Sequence, residues 1–270
     1  MTVPSIVFLV PYRDMEEHLN IYLCVMPWIL ENVEHWEIYI VHQNDTRPFN
    51  RGGIKNAGFL YIKEKYPNDY KDITLVFQDV DTIPTKQNCI KSFECHSGSL
   101  KHFFGFTFAL GGMLSVKASD FELMNGFPNY WGYGLEDSHL IKRCKKHSIS
   151  IDRSCYFDIT KSPKEFIRFP NGKTRKLTKN PIYLERHTKP EHGITEIKHI
   201  AFQEKDIRPN IYQVDCTNWT IQSTHEQEFK IYNYGESRIY DTEGPYKKKR
   251  NIMQEMMQKD MERRRKSFQN

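Results

Sequence analysis

The stretch FQDVDTIP, Phe77 to Pro84, decides how the rest of the chain is read. It follows the apolar run ITLV, so a strand buried on both faces ends in two carboxylates one residue apart. Like charges at that spacing repel and add nothing to a core, so a cation is expected between them and a ligand. In an extended segment Asp79 and Asp81 face the same side, about 7 Å apart. That separation suits one divalent ion. Hard ions such as Mn²⁺ or Mg²⁺ take carboxylate oxygen and complete their shell with substrate phosphates. The competing reading is a plain turn, since Asp is common where strands end.

Working outward, SIVFLVPY reads as another buried strand, and WEIYIVHQ as a third. Between them, from Met15 to about Asn32, Leu19, Tyr22, Leu23, Met26, Ile29 and Leu30 recur at helical spacing, with Pro27 expected to kink or interrupt the helix. FNRGGIKNAGFLYIKEKY opens on glycines and continues as a helix burying Ile54, Ala57, Phe59 and Ile62. Strand–helix alternation of this kind predicts an α/β, Rossmann-like fold with a mainly parallel central sheet. Ligands then sit beyond the carboxyl ends of the strands, where PYRD, QNDTRPFNRGG and QDVDTIP should converge. Further on, FALGGMLSVK suggests a strand and SDFELMNGF a short capped helix. IYQVDCT and FKIYNYG suggest short strands.

Length and composition set bounds. A chain of 270 residues, 39% hydrophobic, can bury one sizeable core. The net charge of +5 suggests nucleic acid, but its distribution argues against it. Residues 247 to 266 hold nine Lys/Arg against three Asp/Glu, whereas the rest has 30 basic and 31 acidic residues. The basic character belongs to a tail, not to the body. Six scattered cysteines with no CxxC read as free thiols in a reducing compartment. The first strand begins at Ser5, which leaves no room for a signal peptide, and no apolar run is long enough to span a membrane. The expectation is a soluble, cytoplasmic protein.

Two further clusters carry chemistry. In NDTRPFNRGGIKNAGF, Arg47 and Arg51 offer planar forks for diphosphate or carboxylate, while Gly52 and Gly53 would let backbone approach a ligand. A solvated loop whose glycines serve the turn is the plainer alternative. In WGYGLEDSHL, Glu136 and Asp137 enter the first turn of a helix, where negative charge is favoured anyway. Tyr130, Trp131 and Tyr133, spaced by glycines, form what reads as an exposed aromatic loop. Aromatic faces beside carboxylates suit a sugar, and one carboxylate can serve as general base towards a hydroxyl.

Taken together, VPYRD, PFNRGGIKNAGF, FQDVDTIP, LGGMLSV and MNGFPNYWGYGLED resemble, in order and at compatible spacing, the motifs of the β-1,4-galactosyltransferase family. The resemblance covers residues 5 to 157 well and 182 to 217 faintly. It implies a GT-A-type nucleotide-sugar fold, Mn²⁺ dependence and inverting transfer from a UDP-sugar. Position by position, it assigns Pro11, Tyr12 and Arg13 to the uracil and ribose, and Phe49 and Arg51 to the nucleotide. Asp79, Val80 and Gly112 fall to the donor, Asp81 to the metal, and Tyr133 to a mobile loop over donor and acceptor. Glu136 and Asp137 match the acidic pair, with Asp137 as catalytic base, and Tyr130, Trp131 and Ser138 line the acceptor side.

The departures also matter. Ala109 stands where the family has an aromatic side chain limiting room at the donor C2, which makes UDP-GalNAc or UDP-GlcNAc plausible beside UDP-Gal. Ser138 replaces an acidic acceptor contact. The family's second metal segment, Met-x-x-His, is expected near Cys155 to Thr160, where neither residue occurs, so Asp158 and His187 become substitute ligands. The positions expected to pair as cysteines beside the DVD strand are Thr74 and Ser92 here. That fits an enzyme of the kind a virus or microbe would use outside the secretory pathway.

The expected organisation is a single domain over 1–245, with a nucleotide-sugar half (1–110) and an acceptor half (111–245). A mobile loop falls near 158–192, its stretch from Lys161 to Lys189 reading as a lid or a solvated loop. A basic helical tail follows over 246–270. Its stripe of Ile252, Met253, Met256, Met257 and Met261 suits docking or self-association. Readings left open are a retaining transferase or polysaccharide synthase module of the same fold, and a catalytically silent carbohydrate-binding protein.

Overall fold

The computed structural model describes residues 2–132, 134–169, 175–178, 189, 191–221 and 229–232. In chain order the elements are β1 (Ile6–Tyr12), α1 (Glu16–Ile29), β2 (Trp36–Gln43), α2 (Arg51–Lys65), β3 (Thr74–Gln78), β4 (Thr82–Pro84), β5 (Ser99–Gly105) and β6 (Met113–Lys117). Then come α3 (Ala118–Leu123), α4 (Glu136–Lys146), β7 (Ser150–Asp152), β8 (Phe157–Asp158), β9 (Phe166–Arg168) and β10 (Arg175–Thr178). The last are β11 (Ile197–Lys198), β12 (Ala201–Arg208), β13 (Ile211–Thr217), β14 (Thr220–Ile221) and β15 (Phe229–Tyr232).

The central sheet runs β12-β13-β2-β1-β3-β6-β5-β7, with β8 also on β5. Strands β13, β2, β1 and β3 are mutually parallel, β7 and β8 run parallel to β5, and β6 is antiparallel to both its neighbours. The sheet is therefore mixed but mainly parallel. The chain departs from β1 to β2 on one side and to β3 on the other, so the crevice between the ends of β1 and β3 is a topological switch point.

Both faces of β1 are covered, which is why it reads as an unbroken apolar run. Val7 and Leu9 pack into the core beneath α2 and α3, with Phe59, Phe77 and Phe121. Ile6, Phe8 and Val10 pack on the other face, with Tyr22 and Met26 of α1. The four apolar residues expected on α2 are all fully buried. Ile54, Phe59 and Ile62 each contribute roughly 1.5–3 kcal/mol on leaving water, and Ala57 less.

Pro27 lies in the last turn of α1 without ending it. The carbonyl of Leu23, which loses its helical donor to the proline, accepts instead from Arg208 Nη1 at 2.9 Å. Helix α3 forms as expected but has no side-chain cap. The stretch 158–192 is not a structureless loop throughout: β9 pairs with β4 and β10 pairs with β15. Residues 170–174, 179–188 and 190 of that stretch, and the basic tail, lie outside the described residues.

Candidate active site

Three polar clusters meet at the switch point, as the strand ends require. Arg51, the first residue of α2, reaches to the end of β3. Its Nη2 lies 2.6 Å and 2.7 Å from the two carboxylate oxygens of Asp79, and its Nε 3.1 Å from one of them. Nη1 donates at 2.6 Å to Glu136 Oε1 and at 2.6 Å to Asp137 Oδ2, both in the first turn of α4. One turn along α2, Lys55 donates to Asp137 Oδ1 at 3.1 Å, its ammonium 4.4 Å from the Phe127 ring centre. Burial acts to raise the pKa of Asp137, but Arg51 and Lys55 outweigh it and the carboxyl lies below its ordinary value. Asp137 is thus ionised at neutral pH.

The backbone around Asp137 leaves no slack. Its carbonyl accepts from Leu110 N at 3.0 Å. A Cβ on Gly111 would lie 2.3 Å from Asp137 Oδ2. Gly111→Ala is therefore expected to push the carboxylate aside. Behind Gly111, buried His102 holds its carbonyl through Nε2 at 3.1 Å, while Arg153 donates to His102 Nδ1 at 3.3 Å. Burial lowers the His102 pKa to about 4, so the ring is neutral.

The DVD segment is not extended. Thr82 N donates to Asp79 O at 3.0 Å, closing a turn that sends the two carboxylates to different partners. Asp79 pairs with Arg51. Asp81 is nearly buried, accepts from the Thr82 hydroxyl at 3.0 Å, and has Arg168 Nε at 4.0 Å. Gln78, unremarked in the sequence, pins the turn: its Nε2 donates to Thr82 O at 2.8 Å, and Tyr22 OH donates to its Oε1 at 2.9 Å.

A segment that the sequence does not single out also lies beside Asp81. Strand β9 pairs with β4 so that Arg168 faces Thr82, and Phe169 N donates to Asp81 O at 2.8 Å. FIRF, Phe166 to Phe169, thus lies against the acidic turn, and Phe157 packs on Phe166 with ring centres 5.4 Å apart. Asp158 caps a 3₁₀ turn, accepting from Thr160 N at 2.9 Å and Thr160 Oγ1 at 2.7 Å. His187 lies outside the described residues. Among the described residues no cluster of three His, Cys, Asp or Glu side chains is disposed around one ion.

A metal site shared with the substrate does fit. Arg51, Lys55 and Arg168 face four carboxylates: Asp79, Asp81, Glu136 and Asp137. A diphosphate would bring further negative charge into an already anionic cluster, and a divalent cation supplies the compensation. Asp81 would contribute one ligand, with phosphate oxygens and water completing the shell.

The remaining donor-side residues surround this centre. Pro11 is buried at the end of β1, and Tyr12 is half-buried with its ring centre 5.3 Å from that of His42. Burial raises the Tyr12 pKa. Arg13 braces the neighbouring loop, donating to the carbonyls of Arg47 and, at 2.8 Å, Asp45. Phe49 is half-buried and its carbonyl accepts from Gly132 N at 3.0 Å. Val80 is buried, and Gly112, at φ 75°, accepts from Asp79 N at 2.9 Å. The two glycines of α2 pack against protein: a Cβ on Gly52 would meet Pro128 O at 2.3 Å, and one on Gly53 the Trp219 ring at 2.8 Å. They permit close packing of the helix rather than approach of a ligand.

The aromatic loop is less exposed than its composition suggests. Tyr130 is buried, its ring 5.8 Å from His139. Trp131 is half-buried against Trp219, and the Arg47 guanidinium lies 4.4 Å and 4.9 Å from their ring centres. The sequence gives no local sign of Trp219, which arrives from the far end of the chain. Ser138 is half-buried in the first turn of α4, and Tyr133 lies outside the described residues.

Comparison with known proteins places this arrangement. Residues 2–96 match the family described as the N-terminal region of glycosyl transferase group 7, and residues 92–165 match the N-terminal domain of galactosyltransferase. The chain belongs to the glycosyl transferase group 7 family. Among relatives of the chain, human beta-1,4-galactosyltransferase 1 is 27% identical over 217 residues, covering 76% of this chain and 52% of that protein. Beta-1,4-galactosyltransferase 7 of Drosophila melanogaster is 31% identical over 165 residues, covering 56% and 48%. The chain spans about half the length of the curated relatives it matches.

The fold matches the catalytic domain of Drosophila beta1,4galactosyltransferase 7 in complex with xylobiose, with TM-score 0.65, 24% identity, and coverage of 79% of this chain and 94% of that one. A mutant of the same enzyme, in complex with manganese, UDP-Gal and xylobiose, matches with TM-score 0.64 and 23% identity over the same shares. The GT-A fold is thereby shown. No helix among the described residues is long and apolar enough to cross a membrane, and all six cysteines are free thiols.

Proposed function

We propose that this glycosyltransferase family member moves a hexose or N-acetylhexosamine from a UDP-sugar to a hydroxyl of a carbohydrate or glycoconjugate, with inversion and a divalent metal. The observation that carries the reading is the Arg51 and Lys55 cradle around Asp137, set beside the turn that bears Asp81. An ionised carboxylate at a helix start, next to a cation-requiring diphosphate site, is what single displacement needs. Asp137 accepts the proton of the acceptor hydroxyl as its oxygen bonds to the donor C1 from the far face. The bond from C1 to the diphosphate breaks, and UDP leaves with the electron pair. A bound divalent ion, with manganese the choice supported by the Drosophila relative, neutralises charge on the diphosphate. An α-linked donor gives a β-linked product, and an α-linked product would reject the scheme.

The wall beside Asp137 supports a range of donor sugars. Leu110 is fully buried, which leaves the half-buried Ala109 to border the donor. Its small side chain leaves room for an N-acetyl group, so UDP-GalNAc and UDP-GlcNAc stand beside UDP-Gal as donors. The free thiols suit a reducing compartment such as the cytoplasm. The test is a panel of UDP-sugars with and without manganese, read by UDP release.

The shared metal site makes a separate prediction. Manganese alone should scarcely move the melting temperature, while manganese with saturating UDP should raise it by about 5–10 °C. An equal rise with manganese alone would show a preformed ion cage and reject the shared site.

A further inference from the structure

We infer that Lys55 is a positioning residue, holding the Asp137 carboxylate in place while Arg51 is drawn to the donor diphosphate. The inference rests on the proposed role of Asp137 as base. Arg51 has five N–H donors, and the structure commits it to five contacts with Asp79, Glu136 and Asp137. It cannot bind a diphosphate without releasing at least one of them. Lys55 is placed differently. Its Nζ meets the other oxygen of Asp137, Oδ1, at 3.1 Å, and it is 2% exposed against the face of Phe127. Helix α2 holds it there, anchored by the Asn50 side chain accepting from Gly53 N at 2.7 Å and by the contacts of Gly52 and Gly53. A buried ammonium has nowhere else to go.

The charged and titratable groups that face Asp137 are Arg51 and Lys55 from α2, Glu136 beside it on α4, Asp79 through Arg51, and neutral His102 from β5 with Arg153 behind it. When Arg51 turns away, Lys55 is the cation left in contact with the base.

The experiment uses the full chain and its Lys55→Met variant. The Asp137 carboxyl is titrated by carbon-detected NMR, with and without UDP and Mg²⁺, so no donor or acceptor need be known. Wild type is expected to keep a low titration midpoint in both states. In the variant the midpoint should rise, and rise further with UDP and Mg²⁺ bound. Turnover of the donor chosen from the panel should fall about ten-fold at the acid end of the profile, less at pH 8, with donor KM unchanged. Calorimetric UDP binding reports whether the variant is folded, and Lys55→Gln is the second variant.

Identical titrations in wild type and variant overturn the inference, as does failure of both variants to fold, which assigns the lysine to stability alone. If Asp137→Asn instead keeps full turnover, the base assignment falls, whatever the titrations show.

Discussion

Asp137→Asn is expected to lower turnover by about 10²–10⁴-fold while leaving UDP and metal affinity within about two-fold. Asparagine keeps the shape of the carboxylate, and its single amide oxygen can still accept from one of Arg51 and Lys55, which meet different oxygens of Asp137. It cannot take a proton from an incoming hydroxyl. The site makes the comparison sharp, because Asp137 is fixed on one side by Gly111 and on the others by Arg51 and Lys55. UDP release under saturating donor reports the chemical step, and calorimetry reports binding. Turnover within ten-fold of wild type would remove Asp137 as the base. Loss of binding and turnover together would instead point to a site that has come apart.

The second large effect belongs to Arg51→Met, which should cost about 3–5 kcal/mol of stability, a fall of roughly 6–20 °C in melting temperature. The guanidinium is almost wholly buried and draws together three carboxylates from two separate segments, the end of β3 and the start of α4. Without it, Asp79 and Glu136 lose this ion pair, and Asp137 keeps Lys55.

The pH dependence has a definite sign. The Asp137 pKa in the folded state lies below its unfolded value, so its stabilising contribution is present above the unfolded value and is lost as pH falls through the folded one. Wild type therefore loses stability on acidification, while protonation relieves repulsion in the variant. The gap between them should narrow towards low pH. Thermal melts across the acid range check this, and an unchanged melting temperature at pH 7 would show that the cluster is not held by Arg51.

Much of the architecture was legible in the residues. The apolar runs of β1, β2 and β3 and the 3.6-residue spacing of α1 and α2 appear where the periodicity places them, with Ile54, Ala57, Phe59 and Ile62 all buried. The convergence of PYRD, FNRGG and QDVD follows from parallel strands, whose carboxyl ends share one edge. Finer geometry was not legible. QDVD reads as extended by alternation, yet an Asp79–Thr82 turn, pinned by Gln78 and Tyr22, separates the two carboxylates. The glycines of α2 read as a ligand approach, yet Pro128 and Trp219 occupy the space beside them. Lys55 left one sign: a lysine in the midst of the helix's buried stripe, one turn beyond Arg51.

What this sequence determined unaided is which segments leave water and at which strand ends the polar clusters are left. Those outcomes depend on the transfer free energy of each side chain and on short-range periodicity, both carried by neighbours in the chain. Only the tertiary structure decided which charge meets which: Arg51 with residues 28, 85 and 86 positions away, and FIRF beside Asp81. Coulombic and hydrogen-bond partners are selected by distances of a few ångströms, and no local pattern sets those distances between remote segments.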